Sequence, residues 1–225
     1  MKIFAHRGYS QKHPEMTRVA YQAAIEAGAD GFECDVRLTK DKKVICFHDA
    51  NTKRITGNYE LVSRLTAQEL IKKADALTLE DLLVIAIDSK KDLLIETKHP
   101  VASGGAIEKK TIDLINQYRD EIERAGIEVV IISFSYLAVR RVRRSGITAA
   151  KVIRYGLAAL ISRSRVVAIK MATLKRYPFL IRVIKTDRIY VWTVNSKEDL
   201  RWLKSREIFG VITDRPKRAS RVLKK

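Results

Sequence analysis

Seven side chains that could bind a metal ion or transfer protons lie within the first 98 residues, beside short runs of β-branched residues. One residue separates Glu33 from Asp35, and one separates Glu96 from Lys98. Because side chains alternate between the two faces of a strand, each pair shares a face and Cys34 points the opposite way. The other three members of the set are His6, Arg7 and His48.

Together these seven side chains favour phosphodiester chemistry. Carboxylates that pack together resist ionisation unless a positive charge lies among them. Three carboxylate ligands fit a hard divalent cation, Mg²⁺ or Ca²⁺. Two histidines suit general acid–base catalysis near neutral pH, although imidazole also binds metals. Arg7 and Lys98 supply positive charge for an anionic substrate. The set therefore predicts metal-assisted cleavage of a phosphodiester.

Strand patterns alternate with helix patterns along the chain, which predicts a parallel α/β sheet. The predicted strands are Lys2–Ala5, Gly31–Val36, Leu93–Glu96, Val129–Ser133, Lys151–Arg154, Val166–Lys170, Arg188–Val194 and Gly210–Thr213. The predicted helices are Thr17–Ala27, Leu79–Ala86, Ile107–Arg124, Tyr136–Arg144, Met171–Ile184 and Lys197–Lys204. Eight strands in 225 residues fit a compact (β/α)₈ barrel of the TIM type. A doubly wound open sheet is the alternative, since the fifth crossover, Tyr155–Arg165, is short and weakly patterned.

One segment interrupts this alternation after the second strand. Between Asp35 and His48 two extended runs are joined by a turn at Lys40–Lys43, with no room for a helix. The two runs must therefore be antiparallel. We expect a small hairpin insertion that returns His48 towards Asp35. The active sites of such barrels lie at the carboxyl ends of the strands, so the seven side chains are expected to converge there.

Composition and length favour a globular protein with a single domain. The 225 residues are 46% apolar and 31% charged, and we expect one catalytic domain over residues 1–225 with a short basic tail at 215–225. Two cysteines are too few for a disulfide framework, which predicts buried thiols in a reducing compartment. The chain shows no signal peptide and no apolar run of about 20 residues. We therefore expect a cytoplasmic protein.

The basic residues are concentrated in the second half of the chain. The formal net charge is +18, yet residues 1–128 contribute −1 and residues 129–225 contribute +19. Such a half can be a solvated surface, or it can bind anionic lipid, where each basic residue contributes about 1 kcal/mol. Peripheral association with an anionic membrane would favour a lysophospholipid substrate. Nucleic-acid binding is not favoured, because no recognition motif accompanies the charge.

Eleven motifs in this order resemble the glycerophosphodiester phosphodiesterase family, from residue 6 to residue 216. They are His6-Arg7-Gly8, Pro14–Thr17, Gly31–Val36, Thr39–Asp41, His48-Asp49, Lys53–Gly57, Leu77–Glu80, Ile95–Lys98, Ile132–Ser135, Val191–Asn195 and Ile212–Pro216. The resemblance implies a TIM-type barrel that hydrolyses glycerophosphodiesters to glycerol 3-phosphate and an alcohol.

The resemblance also implies roles for individual residues. It assigns the divalent metal to Glu33, Asp35 and Glu96, and acid–base catalysis to His6 and His48. Phosphate binding or orientation of the site falls to Arg7, Glu15 and Lys98, and Trp192 would line the substrate pocket. The nucleophile would be water or the substrate's own hydroxyl.

The chain departs from the family pattern at two turns. Met16 stands where the family usually has Asn, and Met cannot hydrogen-bond as Asn does. Lys42 stands where Gly is common, which makes a left-handed turn conformation costlier. No proposed ligand or histidine is missing. We expect Thr17 to cap the helix that follows it, and His13 and His99 to lie in solvated loops.

Two other functions are compatible with the sequence. One is a lysophospholipase D-like enzyme, or a lyase that releases a cyclic phosphate, acting on lipid at an anionic membrane surface. The other is a catalytically silent barrel that serves as a basic binding module.

Overall fold

A computed structural model describes residues 1–101, 104–156 and 164–224 of the chain. The strands of these residues belong to one sheet. They are β1 Lys2–His6, β2 Gly31–Leu38, β3 Val44–Cys46, β4 Asp92–Thr97, β5 Val129–Ser133, β6 Ala149–Ile153, β7 Val166–Lys170, β8 Arg188–Trp192 and β9 Gly210–Thr213. Each of the eight predicted strands is present within a few residues of its predicted bounds.

Eight of these strands form a closed parallel barrel, which confirms the TIM-type prediction. The order around the barrel is β1, β9, β8, β7, β6, β5, β4 and β2, and β2 pairs again with β1. In that closing pair Phe4 lies opposite Gly31. Closure excludes the doubly wound open sheet. The predicted hairpin is also confirmed, because β3 pairs antiparallel with β2 and sets Val36 opposite Cys46.

Helices cover the outside of the barrel. They are α1 Arg18–Glu26, α2 Lys53–Thr56, α3 Ala67–Ala74, α4 Leu79–Asp88, α5 Ala106–Gln117, α6 Arg119–Ala125, α7 Tyr136–Arg144, α8 Met171–Arg176, α9 Leu180–Val183, α10 Lys197–Lys204 and α11 Pro216–Leu223. The Thr17 hydroxyl accepts from the Ala20 amide and caps α1, as predicted. None of the described helices is long and apolar enough to cross a bilayer.

Two predicted helices are each divided in the structure. The pattern over Ile107–Arg124 is interrupted at Tyr118, whose φ of −101° and ψ of 17° end α5. The pattern over Met171–Ile184 stops before Pro178, because proline lacks the amide hydrogen that a helix interior needs. Most of the crossover at 155–165 lies outside the described residues.

Large side chains fill the interior of the barrel below its carboxyl end. Phe4 and Tyr190 meet edge to face with ring centroids 5.4 Å apart. Gly31 permits this packing, since a Cβ there would lie 2.5 Å from Cε1 of Phe4. Leu94 and Ile212 belong to the same buried cluster. With the interior filled, the inward-pointing residues that come next along each strand lie at the carboxyl-end mouth of the barrel.

Candidate active site

Three carboxylates lie together at this mouth. Glu33 and Asp35 lie within β2, and Glu96 is the second-last residue of the neighbouring β4, where it pairs in register with Asp35. All three side chains are buried, and one oxygen from each lies within 4.8 Å of the others. The alternation of β2 places both of its carboxylates inward, while Cys34 packs on the outer side of the barrel among the helices. The structure thus brings Glu33, Asp35 and Glu96 together, and their role as metal ligands stays a prediction.

Two cations stand beside the carboxylates. Lys98 Nζ lies 2.8 Å from Oδ1 of Asp35 and 2.7 Å from Oε1 of Glu96. Arg7 Nε lies 2.8 Å from Oδ2 of Asp35. The Arg7 contact is an ion pair and not a hydrogen bond, so Oδ2 of Asp35 has no hydrogen-bond donor among the described residues. Asp35 is thus paired in charge but retains an open acceptor atom.

The burial of the cluster separates the pKa values of its carboxyl groups. Burial and the nearby charge of Asp35 raise the pKa of Glu33 to about 8. Burial and the same charge also raise the pKa of Glu96. Burial opposes ionisation of Asp35 too, but Lys98 and Arg7 outweigh it and lower the pKa of Asp35. Three carboxyl groups therefore face two cations, and the shortage of positive charge keeps the pKa values of Glu33 and Glu96 high.

A hard divalent cation fits this cluster. The three converging ligands are all oxygens, which Mg²⁺ and Ca²⁺ prefer. The Oδ2 atom of Asp35 is buried and accepts no hydrogen bond from a described residue, so it can serve as a metal ligand. A divalent cation would also favour the ionised form of all three carboxyl groups. Glu33, Asp35 and Glu96 would hold it.

His6 is the last residue of β1, and it is held by Asp214, which directly follows β9. Its Nδ1 lies 2.6 Å from Oδ1 of Asp214, and its Nε2 lies 3.8 Å from Oε2 of Glu33. Burial opposes ionisation of Asp214, but the hydrogen bond and charge of His6, with the hydrogen bonds of Asn195 and Ser10, outweigh it and lower the pKa of Asp214 to about 2. An ionised carboxylate only accepts, so Nδ1 carries the hydrogen and Nε2 faces the acidic cluster.

The two partners change each other's ionisation in opposite directions. Burial on its own would raise the pKa of Asp214 and lower that of His6. The charge of Glu33 and the hydrogen bond to Asp214 outweigh burial at His6, so the pKa of His6 rises. The hydrogen bond and charge of His6 outweigh burial at Asp214, so the pKa of Asp214 falls. Ser10 donates to the same carboxylate at 3.1 Å and fixes its position.

His48 is held in the same manner from the hairpin. Its Nδ1 lies 2.7 Å from Oδ1 of Asp49, which leaves Nε2 available. The Arg37 guanidinium donates to the His48 carbonyl at 2.9 Å and fixes the backbone of the returning arm. Burial lowers the pKa of His48, and the positive charges of Arg7 and Lys98 add to that effect against the charge of Asp35.

Glu15 connects the two sides of the site. Its carboxylate accepts from Arg7 Nη1 at 3.3 Å and from Arg54 Nη2 at 2.6 Å. Arg54 Nε also donates to Oδ2 of Asp49 at 2.6 Å. A continuous chain of ion pairs therefore runs from the acidic cluster to the partner of His48. Glu15 positions Arg7, as the prediction that it orients the site requires.

Trp192 lies at the end of β8, across the mouth from the carboxylates. Its indole N–H donates to the Ala168 carbonyl at 3.0 Å. Its ring meets Phe134 edge to face at 5.7 Å. The side chain is half-buried, so it presents an aromatic wall at the mouth.

Both departures from the family pattern fall at left-handed backbone positions. Met16 has a φ of 57° and Lys42 a φ of 60°. Asn and Gly adopt that region at lower cost than Met or Lys. Met16 is nevertheless buried and packs in the core under α1, so apolar packing replaces the hydrogen bonds an Asn would make.

Four residues that support the site had no role in the sequence analysis: Asp214, Asp49, Arg54 and Asn195. Each lies within one of the family motifs, but the spacing of residues in a motif does not show which side chains pair with residues far away in the sequence. Asp214 could have been found, because it follows the interior residue Ile212 by two positions at a strand end. The expectation for His99 was wrong: its Nε2 lies 2.6 Å from the fully buried Glu108. His13 is half-buried beside Tyr9.

Comparisons with known proteins agree with this geometry. The model of the glycerophosphoryl diester phosphodiesterase family matches residues 6–218. A glycerophosphodiester phosphodiesterase of Caldanaerobacter subterraneus is 31% identical, over 99% of this chain and 98% of that protein. The crystal structure of a glycerophosphodiester phosphodiesterase of Thermotoga maritima superposes with a TM-score of 0.79 at 27% identity, covering 96% of both chains. A phosphodiesterase of Oleispira antarctica, solved with its product sn-glycerol-3-phosphate, has a TM-score of 0.84 at 17% identity, over 100% of this chain and 97% of that one.

The compensation of buried charge can be tested through stability. We expect Lys98→Met to lower the free energy of unfolding by about 3–5 kcal/mol in EDTA, because it leaves Asp35 and Glu96 without their shared cation. Adding Mg²⁺ or Ca²⁺ should restore more stability to the variant than to the parent protein, since its cluster is more negative. Urea unfolding measures both effects.

The matched control is Lys110→Met, at an exposed position of α5. Its unfolding free energy should stay within about 0.5 kcal/mol of the parent value. An equally small change for Lys98→Met would contradict the role of Lys98 in the cluster.

Proposed function

The chain belongs to the glycerophosphoryl diester phosphodiesterase family, and we propose that it hydrolyses glycerophosphodiesters to glycerol 3-phosphate and an alcohol with a divalent cation and two histidines. It is a phosphoric diester hydrolase. The observation that carries the proposal is the arrangement of His6 and His48 beside one acidic cluster. Each ring has Nδ1 bound to an aspartate and Nε2 available for a proton.

Charge is the first requirement of this reaction. When bound, a divalent cation would polarise the phosphoryl oxygens and offset the negative charge that grows on them. Arg7 and Lys98 lie beside the cluster and add positive charge for the phosphate. Glu15 holds the Arg7 guanidinium from the opposite side, so that it reaches the phosphate without rearranging.

Proton transfer is the second requirement. One histidine Nε2 removes the proton of the nucleophile, and the other donates a proton to the oxygen of the departing alcohol. Asp214 and Asp49 keep the two rings in the tautomer and orientation that this needs. The nucleophile is water, or the substrate's own hydroxyl through a cyclic phosphate. Trp192 packs against the glycerol or alcohol portion.

We also assign the catalytic function to one domain over residues 1–225, with a short basic tail at 215–225. The match to the family over residues 6–218 and the closing pair of β9 with β1 support this assignment. The buried thiols of Cys34 and Cys46 are free, which supports the proposal of a reducing, cytoplasmic location.

The metal requirement is tested by product formation. We expect the protein to release glycerol 3-phosphate from glycerophosphocholine with Mg²⁺ or Ca²⁺, and to release none in EDTA. Phosphorus NMR distinguishes glycerol 3-phosphate from a cyclic phosphate. Cyclic product alone would favour the lyase, and no product with any metal would favour the silent binding module.

The ligand set is tested by calorimetry. Glu96→Gln should weaken the binding of the divalent cation about tenfold or more, because a charged oxygen ligand is lost. Glu26→Gln changes an exposed carboxylate on α1 and serves as the control. Equal affinity in both variants would remove Glu96 from the ligand set.

The role of His48 is tested by turnover. His48→Ala should lower kcat about 10²–10⁴-fold with the fold intact, as for a lost acid–base group. His13→Ala removes a half-buried histidine outside the cluster and should keep parent activity. Unchanged turnover in a folded His48→Ala protein would exclude His48 from proton transfer.

A second candidate function is hydrolysis of lysophospholipids at an anionic membrane, and one observation favours it. Tyr136, Leu137 and Tyr155 are 65%, 57% and 72% exposed, and they follow β5 and β6 on the mouth side of the barrel. Aromatic side chains of this kind favour the membrane–water interface. Arg140 is exposed and lies one helical turn after Tyr136 on the same face of α7, so it would face anionic headgroups.

Vesicle sedimentation tests this membrane association. The protein should bind phosphatidylserine-containing vesicles but not phosphatidylcholine vesicles, and Tyr136→Ser with Leu137→Ser should weaken binding about tenfold. Val183→Ser is the control, because α9 precedes β8 and lies at the opposite end of the barrel. Equal losses in both proteins would exclude the mouth as the membrane surface.

A further inference from the structure

Four consecutive strands place a second group of side chains at the mouth, opposite the acidic cluster. Two of them directly follow a strand, Phe134 after β5 and Arg154 after β6. The other two are the last residues of their strands, Lys170 of β7 and Trp192 of β8. Each comes two residues after a residue of the barrel interior, and these are Ile132, Val152, Ala168 and Tyr190. By the alternation of strands, all four belong to the inward-facing register.

Aromatic contacts hold the first cation of this group. The Arg154 guanidinium lies 5.3 Å from the centroid of the Phe134 ring. Phe134 in turn meets Trp192 edge to face. Trp192 is anchored by its indole hydrogen bond to the Ala168 carbonyl. The guanidinium therefore rests on a supported aromatic surface, and its hydrogen-bond donors remain available.

The two cations of this group have no acidic partner. Neither Arg154 nor Lys170 forms an ion pair with any residue that the structure describes. The undescribed positions 102–103, 157–163 and 225 carry no Asp or Glu in the sequence. In the other half of the mouth, Arg7, Lys98 and Arg54 are all paired with carboxylates. Arg154 and Lys170 thus carry positive charge that no carboxylate of the described residues compensates.

We propose that Arg154 and Lys170 bind a second anionic group, phosphate or carboxylate, on the alcohol portion of the substrate. The inference rests on the proposed function, because a diester phosphate at the acidic cluster would extend its alcohol across the mouth. Arg154 supplies directed donors to the anion, and Lys170 supplies a point charge beside it. The preferred substrates are therefore glycerophosphodiesters whose alcohol is itself negatively charged, rather than those with a cationic alcohol such as choline.

Glycerophosphoinositol and glycerophosphoinositol 4-phosphate make a matched pair of probes, since they differ by one phosphate. The parent protein should hydrolyse the 4-phosphate with a kcat/KM about tenfold higher or more. Arg154→Ala and Lys170→Ala should each reduce that ratio several-fold, and the double variant should abolish the preference. The ratio should also fall as salt is added.

A control separates this site from the general positive charge of the protein. Arg221→Ala removes an exposed arginine near the end of α11, where Lys224 contacts the Gly28 carbonyl at the amino end of the barrel. Its ratio should match the parent. Equal ratios in Arg221→Ala and the double variant would overturn the inference, as would equal losses on both substrates in the double variant.

Failure of the proposed function gives a different result. If neither diester is hydrolysed with any metal, calorimetry with glycerophosphoinositol 4-phosphate still tests the two cations. Loss of binding in the double variant alone supports the anion site, and unchanged binding overturns it.

Discussion

Asp35 is 1% exposed, and its carboxylate is stable there because Lys98 and Arg7 each lie 2.8 Å from one of its oxygens. A charge buried without partners would cost several kcal/mol or would be lost by protonation. The cations must in turn be held at the mouth. Glu96 holds Lys98, and Glu15 holds Arg7. The geometry of the site follows from this need to keep buried negative charge compensated.

That constraint extends to the hairpin insertion. Arg54 bridges Glu15 and Asp49, and Asp49 holds His48. β3 is not a barrel strand, yet the chain that follows it brings a histidine to the same cluster that His6 reaches from β1. Both histidines use an aspartate to direct Nε2, although one aspartate is a chain neighbour and the other is 208 residues away. An aspartate thus orients each imidazole, through a contact between chain neighbours at His48 and a contact between distant residues at His6.

The barrel and the convergence of Glu33, Asp35 and Glu96 could be predicted because both rest on local patterns. Parallel strands are buried on both faces, so their sequences are short apolar runs, and alternation fixes which carboxylates face inward. The partners of those residues could not be predicted in the same way. The pairing of His6 with Asp214 and of His99 with Glu108 depends on how the barrel closes and how the helices pack. The sequence does not indicate the helix break at Tyr118, whose hydroxyl donates to Glu80 on another helix. The break before Pro178 is indicated by the proline itself.

The uneven charge of the sequence corresponds to the two halves of the mouth. Residues 1–128 supply β1, β2, β4 and the hairpin, and they carry 21 of the 26 acidic residues. Residues 129–225 supply β5 to β9 and carry 5. Of those five, Asp214 lies at the strand end next to β1, where it is needed to orient His6. Because the strands from β5 to β8 bring no acid to the mouth among the described residues, their cations remain unpaired. Charge segregation along the chain is therefore also segregation across the mouth, where the acidic cluster faces Arg154 and Lys170, which have no acidic partner among the described residues.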